Sequence, residues 1–264
     1  MVYCGNETEH TDALASRRPS VRTAWFGTSL VEHFEAYNPC LTRQTDLPEI
    51  GSLVQITSWR RRGYAHAVML ALMVRYPWIT FSTDNFGEGG STSVGVRAAV
   101  ETAARTEHWD VVFLGCGIND VWRQHQGRQE EAVTLDDFDT NIRFCLEILT
   151  SRARRVIVVG EPPMGWDAEV DAAAVNADLV AYNQRTRTVA AECGAEFIDL
   201  WDDVTTAATW LDWSPAVPSQ PAEGAPSIWA DGVHLSEHGV ELVRQTIMHQ
   251  ITSSGLIERL IGAR

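Results

Sequence analysis

The sequence contains no lysine, and all 21 of its basic residues are arginine. Without lysine the chain has no Schiff-base amine and no P-loop lysine, which excludes two classes of enzyme chemistry. No run of about 18 apolar residues is present, and the first twenty residues lack the apolar segment of a secretory signal. The five cysteines are widely spaced, with no C-x-x-C pair. These absences predict a cytoplasmic protein with reduced thiols and no membrane span.

The charge balance is acidic, with 35 acidic residues against 21 basic ones and a formal net charge of -14. This charge disfavours nucleic acid and anionic membrane surfaces as partners. A length of 264 residues and a hydrophobic content of 45% fit one globular domain. We expect a polar N-terminal arm at residues 1–20, which could pack on a partner subunit of a homo-oligomer, and a single domain at 21–264.

Short β-branched runs alternate along the chain with longer segments of helical periodicity. The pattern predicts five strands, at 23–27, 78–85, 109–115, 154–163 and 195–201. It predicts helices at 63–77, 91–105, 134–152, 176–194 and 236–255. Such alternation is typical of an α/β fold, with a parallel sheet covered on both faces. Residues 38–58 and 202–230 break the alternation, and we expect them to be long loops, either binding loops or surface excursions.

Glycines and polar side chains follow the predicted strands, at the edge where open parallel sheets bind ligands. Ser29 follows the first strand, and the segment NFGEGG, which ends at Gly90, follows the second. Asn119 follows the third strand, and Asp231 and His234 follow the long loop after the fifth. The sequence therefore brings a serine, an asparagine and an Asp-x-x-His pair to one edge.

This combination suits acyl transfer through a serine. A serine hydroxyl becomes a nucleophile when an imidazole takes its proton, and a carboxylate fixes the tautomer of that imidazole. Asp231 lies three residues before His234, close enough to orient Nδ1 while Nε2 faces Ser29. The N–H groups of Ser29 and Gly90 and the side-chain amide of Asn119 would supply an oxyanion hole.

Each element alone has a common structural explanation. Ser29 or Asn119 could cap a helix, and the pair of Asp231 and His234 could be a structural hydrogen bond or half of a metal site. The NFGEGG segment could cradle a phosphate, but it lacks the third glycine of G-x-G-x-x-G. No second ligand with zinc-type spacing accompanies His234, so we expect neither a metal nor another cofactor.

Four segments, FGTSL, NFGEGG, GIND and DGVHL, resemble in order and position the four sequence blocks of the SGNH (GDSL-type) serine hydrolases. The resemblance covers roughly residues 22–250. It implies a three-layer flavodoxin-like fold with strand order 2-1-3-4-5, and a metal-independent hydrolase of esters, thioesters or O-acyl groups on sugars. It also implies that Ser29 is the nucleophile and that His234 is the base, oriented by Asp231.

The same resemblance makes Gly90 and Asn119 oxyanion donors. One residue departs from the family pattern: Thr28 stands where the first block, Gly-Asp-Ser-Leu, has its aspartate. The serine keeps its place in the turn, so the nucleophile assignment is unchanged. The way in which the loop holds the oxyanion hole could differ.

Tryptophans near these segments are candidates for substrate binding. Trp122, Trp166 and Trp229 could wall an acyl or aromatic pocket, or they could pack in the interior. The sequence predicts a serine esterase that acts on an O-acyl ester of a small or carbohydrate-like molecule. Two alternatives stay open: an acyltransferase with the same acyl-enzyme on Ser29, and a non-catalytic flavodoxin-like ligand-binding domain.

Overall fold

The computed structural model describes residues 18–32, 63–222 and 225–262. The first 17 residues of the expected arm, and the whole of the expected loop at 38–58, lie outside the described residues. The first strand begins at Ser20, so the end of the expected arm already belongs to the sheet. Within the three described ranges, no helix is long and apolar enough to cross a membrane.

Five parallel strands form one sheet in the order β2-β1-β3-β4-β5, which confirms the predicted topology. The strands are β1 (Ser20–Gly27), β2 (Thr80–Gly87), β3 (Trp109–Gly115), β4 (Ala153–Val159) and β5 (Glu196–Ile198). Strands β1 and β3 are buried at most positions, since residues on both faces of a covered parallel sheet are removed from water. Strand β2 lies at one edge and stays partly exposed.

Helices cover the two faces of the sheet, which confirms the three-layer α/β fold. In the described part of the chain they are α1 (Tyr64–Arg75), α2 (Ser93–Ala103), α3 (Ile118–His125), α4 (Leu135–Arg152), α5 (Ala172–Glu192), α6 (Trp201–Thr209), α7 (Glu237–Ser253) and α8 (Leu256–Gly262). Helix α1 packs on α7, while α2, α4 and α5 pack on one another in succession. All five predicted helices are present.

Helix α5 begins earlier than the expected residue 176. Its N-cap is Asp171, whose carboxylate accepts hydrogen bonds from the N–H groups of Ala173 and Ala174. Asn176 is instead buried, and its side-chain amide accepts from Met164 N–H at 2.7 Å and donates to Met164 C=O at 2.9 Å. Asn176, where the sequence predicted the helix to begin, instead ties the helix to the chain that follows β4.

The expected loop at 202–230 is wrong in its first part, because α6 covers Trp201–Thr209. This helix has acidic residues in its first turn, where the helix dipole favours them, and it buries Val204 and Ala208, which are four positions apart. Helices α3 and α8 were not predicted either. Each is eight residues or fewer, too short for a clear periodicity.

Three glycines end the adjacent strands β2, β1 and β3 in register at the carboxyl edge of the sheet. Gly27 of β1 is paired with Gly87 of β2 and with Gly115 of β3. A Cβ atom on Gly27 would lie 2.3 Å from the Gly115 carbonyl oxygen and 2.6 Å from a methyl of Val31. The segments that follow these glycines carry three of the candidate residues: Ser29 and Gly90 lie in turns, and Asn119 lies at the start of α3.

Candidate active site

A chain of hydrogen bonds joins the serine, the histidine and the aspartate at this edge. His234 Nε2 lies 2.9 Å from Ser29 Oγ. On the other side of the ring, His234 Nδ1 lies 2.8 Å and 3.0 Å from the two carboxylate oxygens of Asp231. The structure thus brings together the three residues that the sequence predicted for the nucleophile, the base and its orienting acid.

Asp231 is fixed and charged by the turn that it begins. Its carboxylate accepts hydrogen bonds from the backbone N–H of His234 at 2.8 Å and of Val233 at 3.3 Å. Burial acts to raise the pKa of Asp231, but the hydrogen bonds from the His234 ring and from these two backbone groups outweigh it. The pKa of Asp231 therefore lies below its ordinary value, and the carboxylate is ionised at neutral pH.

Ser29 is partly exposed on a tight turn after β1. The carbonyl of Thr28 accepts hydrogen bonds at 2.9 Å from the N–H groups of Val31 and Glu32, which closes the turn. The hydroxyl of Thr28 accepts a long hydrogen bond, 3.4 Å, from the N–H of Leu30. A side-chain oxygen that accepts from the N–H two residues later is the usual contact of Asp or Thr in such turns. Thr28 therefore supplies locally the acceptor that an aspartate would supply.

Asn119 lies in the first turn of α3, with 2% of its surface exposed. Its Nδ2 donates a hydrogen bond of 2.8 Å to the carbonyl of Ser91, in the turn after β2. A primary amide has two N–H groups, so one remains for another acceptor. Gly90 precedes Ser91, is exposed, and has a φ of +76°. The two predicted donors, the Asn119 side-chain amide and the Gly90 backbone N–H, thus belong to neighbouring segments, and a hydrogen bond from Asn119 to Ser91 holds these segments together.

Sequence reasoning missed the function of Asp120, which is fully buried. Its two carboxylate oxygens accept hydrogen bonds of 3.1 Å and 3.0 Å from the N–H of Ser93, the first residue of α2, and a short one from the Ser93 hydroxyl. The N-cap residue Thr92 makes no side-chain cap, so Asp120 caps α2 from another helix. Burial raises the pKa of Asp120 to about 6, against the effect of the Ser93 hydrogen bonds.

Glu161, two residues after β4, is a second buried acid behind this edge, with 4% of its surface exposed. Its backbone N–H and C=O are both bonded to the side chain of Asn183, at 2.9 Å each. Burial, with a smaller contribution from the charge of Asp120, raises the pKa of Glu161 to about 8. Glu161 is therefore largely protonated at neutral pH, and its role differs from that of the ionised Asp231.

The candidate tryptophans separate into two groups. Trp166 and Trp229 line one cavity of about 660 Å³, which Asp231 also lines. Trp229 is 7% exposed, and its Nε1 donates to the Pro163 carbonyl at 2.9 Å, so it is mainly a packing residue. Trp122 does not line this cavity; it lies half-buried on α3. The structure therefore brings two of the three candidates to the side of Asp231.

Among the described residues, no group of three or more His, Cys, Asp or Glu side chains is arranged to hold a metal ion. The model of the GDSL-like Lipase/Acylhydrolase family matches residues 51–242, or 192 of the 264 residues. The chain belongs to the GDSL-like lipase/acylhydrolase family. The protein is therefore a hydrolase of the serine esterase type, and the non-catalytic binding domain is set aside. No curated protein matches the chain.

The matched segment of the GDSL-like family begins after Ser29. It contains Gly90, Asn119, Asp231 and His234, whereas the serine enters the site only through the geometry of the turn after β1. Family membership and the position of the serine are therefore separate observations.

Solved structures share the fold of this GDSL-like protein. Axe2, an acetylxylan esterase from Geobacillus stearothermophilus, is 20% identical, with a TM-score of 0.66 over 89% of this chain and 96% of that chain. LAE5, described as an alpha/beta hydrolase enzyme from the metagenome of Lake Arreo, Spain, is 17% identical, with a TM-score of 0.65 over 90% of this chain and 97% of that chain. At these identities the similarity shows the fold.

Proposed function

We propose that this protein is a metal-independent serine esterase that hydrolyses a carboxylic ester, an O-acyl group on a small or carbohydrate-like molecule, through an acyl-enzyme on Ser29. The observation that carries the proposal is the hydrogen-bond chain from Ser29 Oγ through the His234 ring to the Asp231 carboxylate. This is the arrangement in which an imidazole activates a hydroxyl nucleophile, while a carboxylate stabilises the imidazolium that forms.

Each half of the reaction moves one proton through His234. In the first half, Ser29 Oγ attacks the acyl carbonyl as its proton passes to Nε2; the alcohol then leaves and takes that proton. In the second half, Nε2 takes a proton from water, which attacks the acyl carbonyl, and returns it to Ser29 Oγ as the acid leaves. Asp231 stays ionised throughout. The oxyanion of each tetrahedral intermediate accepts hydrogen bonds from Ser29 N–H, Gly90 N–H and Asn119 Nδ2.

Names of the solved neighbours support this choice of residues. Structures of Axe2 are described as catalytic mutants, in which a serine, an aspartate or a histidine is replaced by alanine. In Axe2 the histidine lies three residues after the aspartate, the same spacing as between Asp231 and His234 here. Axe2 is described as an esterase of acetylated xylan, which supports an acetyl group on a carbohydrate as the substrate class for this chain.

The cavity that Asp231 lines, although Ser29 and His234 do not line it, supports a carbohydrate-like alcohol bound next to the triad. Its wall includes four tryptophans together with polar side chains, in particular Trp166, Trp210, Trp213, Trp229, Asp167 and Gln220. Trp210 is 87% exposed, so one of its faces is open to a ligand. A sugar ring presents C–H groups to an aromatic face and hydroxyl groups to carboxylate and amide oxygens. A volume of about 660 Å³ lies within the ordinary range of ligand sites.

Incubation with a fluorophosphonate, followed by intact mass and peptide mapping, tests the nucleophile. We expect one adduct, on Ser29, and none in Ser29→Ala. Ser151→Ala is the matched control, because Ser151 is exposed at the end of α4. Hydrolysis of p-nitrophenyl acetate and of acetylated xylosides should disappear in Ser29→Ala only. An adduct on another serine, or full ester hydrolysis by Ser29→Ala, would refute the proposal.

A second candidate is acyl transfer from the same acyl-enzyme to an alcohol or an amine. The observation in its favour is the cavity next to Asp231, which has room for an acceptor. Competition between water and an added acceptor decides between the two reactions. Transferred product at millimolar acceptor would favour the transferase, and hydrolysis alone with every acceptor tested would eliminate it.

The described cysteines support the cytoplasm as the location. Cys116, Cys145 and Cys193 are all free thiols. Burial raises the pKa of Cys116, and raises the pKa of Cys145 to about 12, so neither forms a thiolate at neutral pH. Unpaired, unreactive thiols are typical of a reducing compartment.

A further inference from the structure

Helix α3 holds the turn after β2 with three side chains. Asn119 donates to the Ser91 carbonyl at 2.8 Å, and Asp120 accepts from Ser93. Arg123, one helical turn after Asn119, donates from Nη2 to the Gly90 carbonyl at 3.4 Å. The three contacts fix successive peptide groups of the turn, beginning with the residue that we assign to the oxyanion hole.

Arg123 is an unusual residue for this position, because only 7% of its surface is exposed. Its Nη1 donates to Gln126 at 2.7 Å, while its Nε is buried without a hydrogen-bond partner. The carboxylate of Glu131 lies 3.8 Å from that Nε and is itself 44% exposed, so it neutralises the guanidinium only in part. A buried charge with incomplete pairing costs stability, and such a cost is commonly retained at functional sites.

Gly90 needs an external restraint. It is exposed and adopts a φ of +76°, and glycine has more backbone freedom than any other residue. A Cβ atom on Gly90 would lie 3.2 Å from Nη2 of Arg123, so the guanidinium is packed directly against this residue. An oxyanion donor acts well only if it is already in place before the charge develops.

We propose that Arg123 is a positioning residue for the oxyanion hole: its guanidinium restrains Gly90 by bonding to the Gly90 carbonyl, and so orients the Gly90 N–H, and it adds a positive charge next to this residue. The proposal rests on the proposed function. The fold itself does not need this charge, since Asp120 and Asn119 already tie α3 to the same turn. The expected signature is a loss of kcat with little change in KM or in stability.

The test compares Arg123→Met, Arg123→Lys and Arg123→Ala by hydrolysis of p-nitrophenyl acetate. Arg123→Met keeps an apolar stem without the charge, and we expect its kcat to fall about 10- to 100-fold, less than for a donor that touches the oxyanion directly. The kcat of Arg123→Lys should lie between those of the wild type and Arg123→Met. Millimolar guanidinium should restore part of the kcat of Arg123→Ala and leave the wild type unchanged.

Arg105→Met is the matched control, because Arg105 lies just after α2, is 70% exposed and pairs with Glu101 of that helix. Its kcat should equal that of the wild type. A wild-type kcat in Arg123→Met would overturn the proposal. So would a lower kcat that guanidinium does not restore and that follows a drop in Tm, which indicates a structural role.

If Arg123→Met and Arg123→Ala do not fold, Arg123→Lys decides alone, and an unchanged kcat at unchanged KM overturns the proposal. Ser29→Ala is measured in parallel. Activity that survives in Ser29→Ala removes the proposed function, and the role of Arg123 with it. Activity that depends on Ser29 but not on Arg123 removes the present proposal only.

Discussion

His234 Nε2 and Ser29 Oγ lie 2.9 Å apart, although 205 positions separate the two residues in the sequence. Ser29 follows β1, which lies between β2 and β3 in the sheet. His234 precedes α7, which packs on α1. The pair can form only when the sheet and its covering helices are in place. Reactivity of Ser29 is therefore a sensitive report on the folded state as a whole.

Asp231→Asn should leave the fold intact and lower kcat by about 10³–10⁴, the effect of a wrong imidazole tautomer in a serine triad. The amide N–H₂ could then face His234 Nδ1, whose N–H in the wild type donates to the Asp231 carboxylate oxygens. The measurement is kcat together with the rate of fluorophosphonate labelling of Ser29. Asp136→Asn, at a side chain 95% exposed, is the control. Equal labelling rates in the two variants would contradict the role of Asp231.

Asn119→Ala should lower kcat by about 10²–10³ and leave KM nearly unchanged, the usual cost of losing one oxyanion donor. The substitution also removes the hydrogen bond to the Ser91 carbonyl, so the free energy of unfolding should fall by about 1 kcal/mol. Steady-state kinetics and urea denaturation separate the two effects. A loss of stability with no change in kcat would show that Asn119 serves the turn alone.

Glu161→Gln should change how stability depends on pH. The folded-state pKa of Glu161, about 8, lies above its ordinary value, so its protonated form favours folding. That contribution is complete below about pH 4.5, the ordinary range of a glutamate, and is lost as pH rises through about 8.

The difference in unfolding free energy between Glu161→Gln and the wild type should therefore rise between pH 5 and pH 9, in favour of the variant, by on the order of 3–5 kcal/mol. Urea denaturation across this range measures the difference, and titrations common to both proteins cancel. Glu130→Gln, at an exposed position, should show no such trend. A pH-independent difference for Glu161→Gln would show that the carboxyl group titrates normally.

Gly27→Ala should cost about 3 kcal/mol or more of stability, or prevent folding, because its Cβ atom would meet the backbone of β3 at 2.3 Å. Gly194→Ala is the matched comparison. Gly194 has a φ of +73° with open space around it, so only the backbone strain of about 1 kcal/mol applies. Urea denaturation gives both values. Similar losses in the two variants would mean that the sheet edge can relax around a methyl group.

Trp210→Ala should raise KM for an acetylated xyloside by about 2- to 10-fold and leave p-nitrophenyl acetate unaffected, since one aromatic contact contributes about 0.5–1.5 kcal/mol. Trp210 is 87% exposed, so stability should not change. Trp229→Ala, at a buried side chain, should instead cost about 3–5 kcal/mol of stability. Equal KM values for the xyloside in the wild type and Trp210→Ala would remove Trp210 from the substrate site.

The sheet was predictable because its strands are short runs that alternate with helical segments, and four of them, β1 to β4, end at a glycine or directly before one. The approach of Ser29, Asp231 and His234 followed from the rule that carboxyl ends of parallel strands share one edge. Thr28 could be accommodated for a local reason, since its hydroxyl accepts from the N–H of Leu30.

Long-range contacts of polar residues were not predictable. Asp120 reads as an acid in the first turn of a helix, yet it caps α2, 27 positions earlier in the chain. Arg123 could have been singled out only after α3 was recognised, because its four-residue spacing from Asn119 has meaning only on a helix. Trp229 shows the opposite error. Its position two residues before Asp231 favoured a ligand contact, but its Nε1 donates to the Pro163 carbonyl and the side chain is buried.

The three paired glycines at the strand ends, Gly27, Gly87 and Gly115, also limit which residues near the site can change when substrate selectivity changes. Where Gly27 and Gly87 end their strands, an added Cβ atom would meet main chain at 2.3 Å and 2.6 Å, so a side chain larger than hydrogen is hard to accommodate at this edge of the sheet. We therefore expect selectivity for a new ester to arise from the turns that follow these strands and from the residues that line the cavity beside Asp231. Directed libraries that vary the wall residues 210–222 and 225–230 should therefore alter selectivity with fewer unfolded variants than libraries that vary the strand ends.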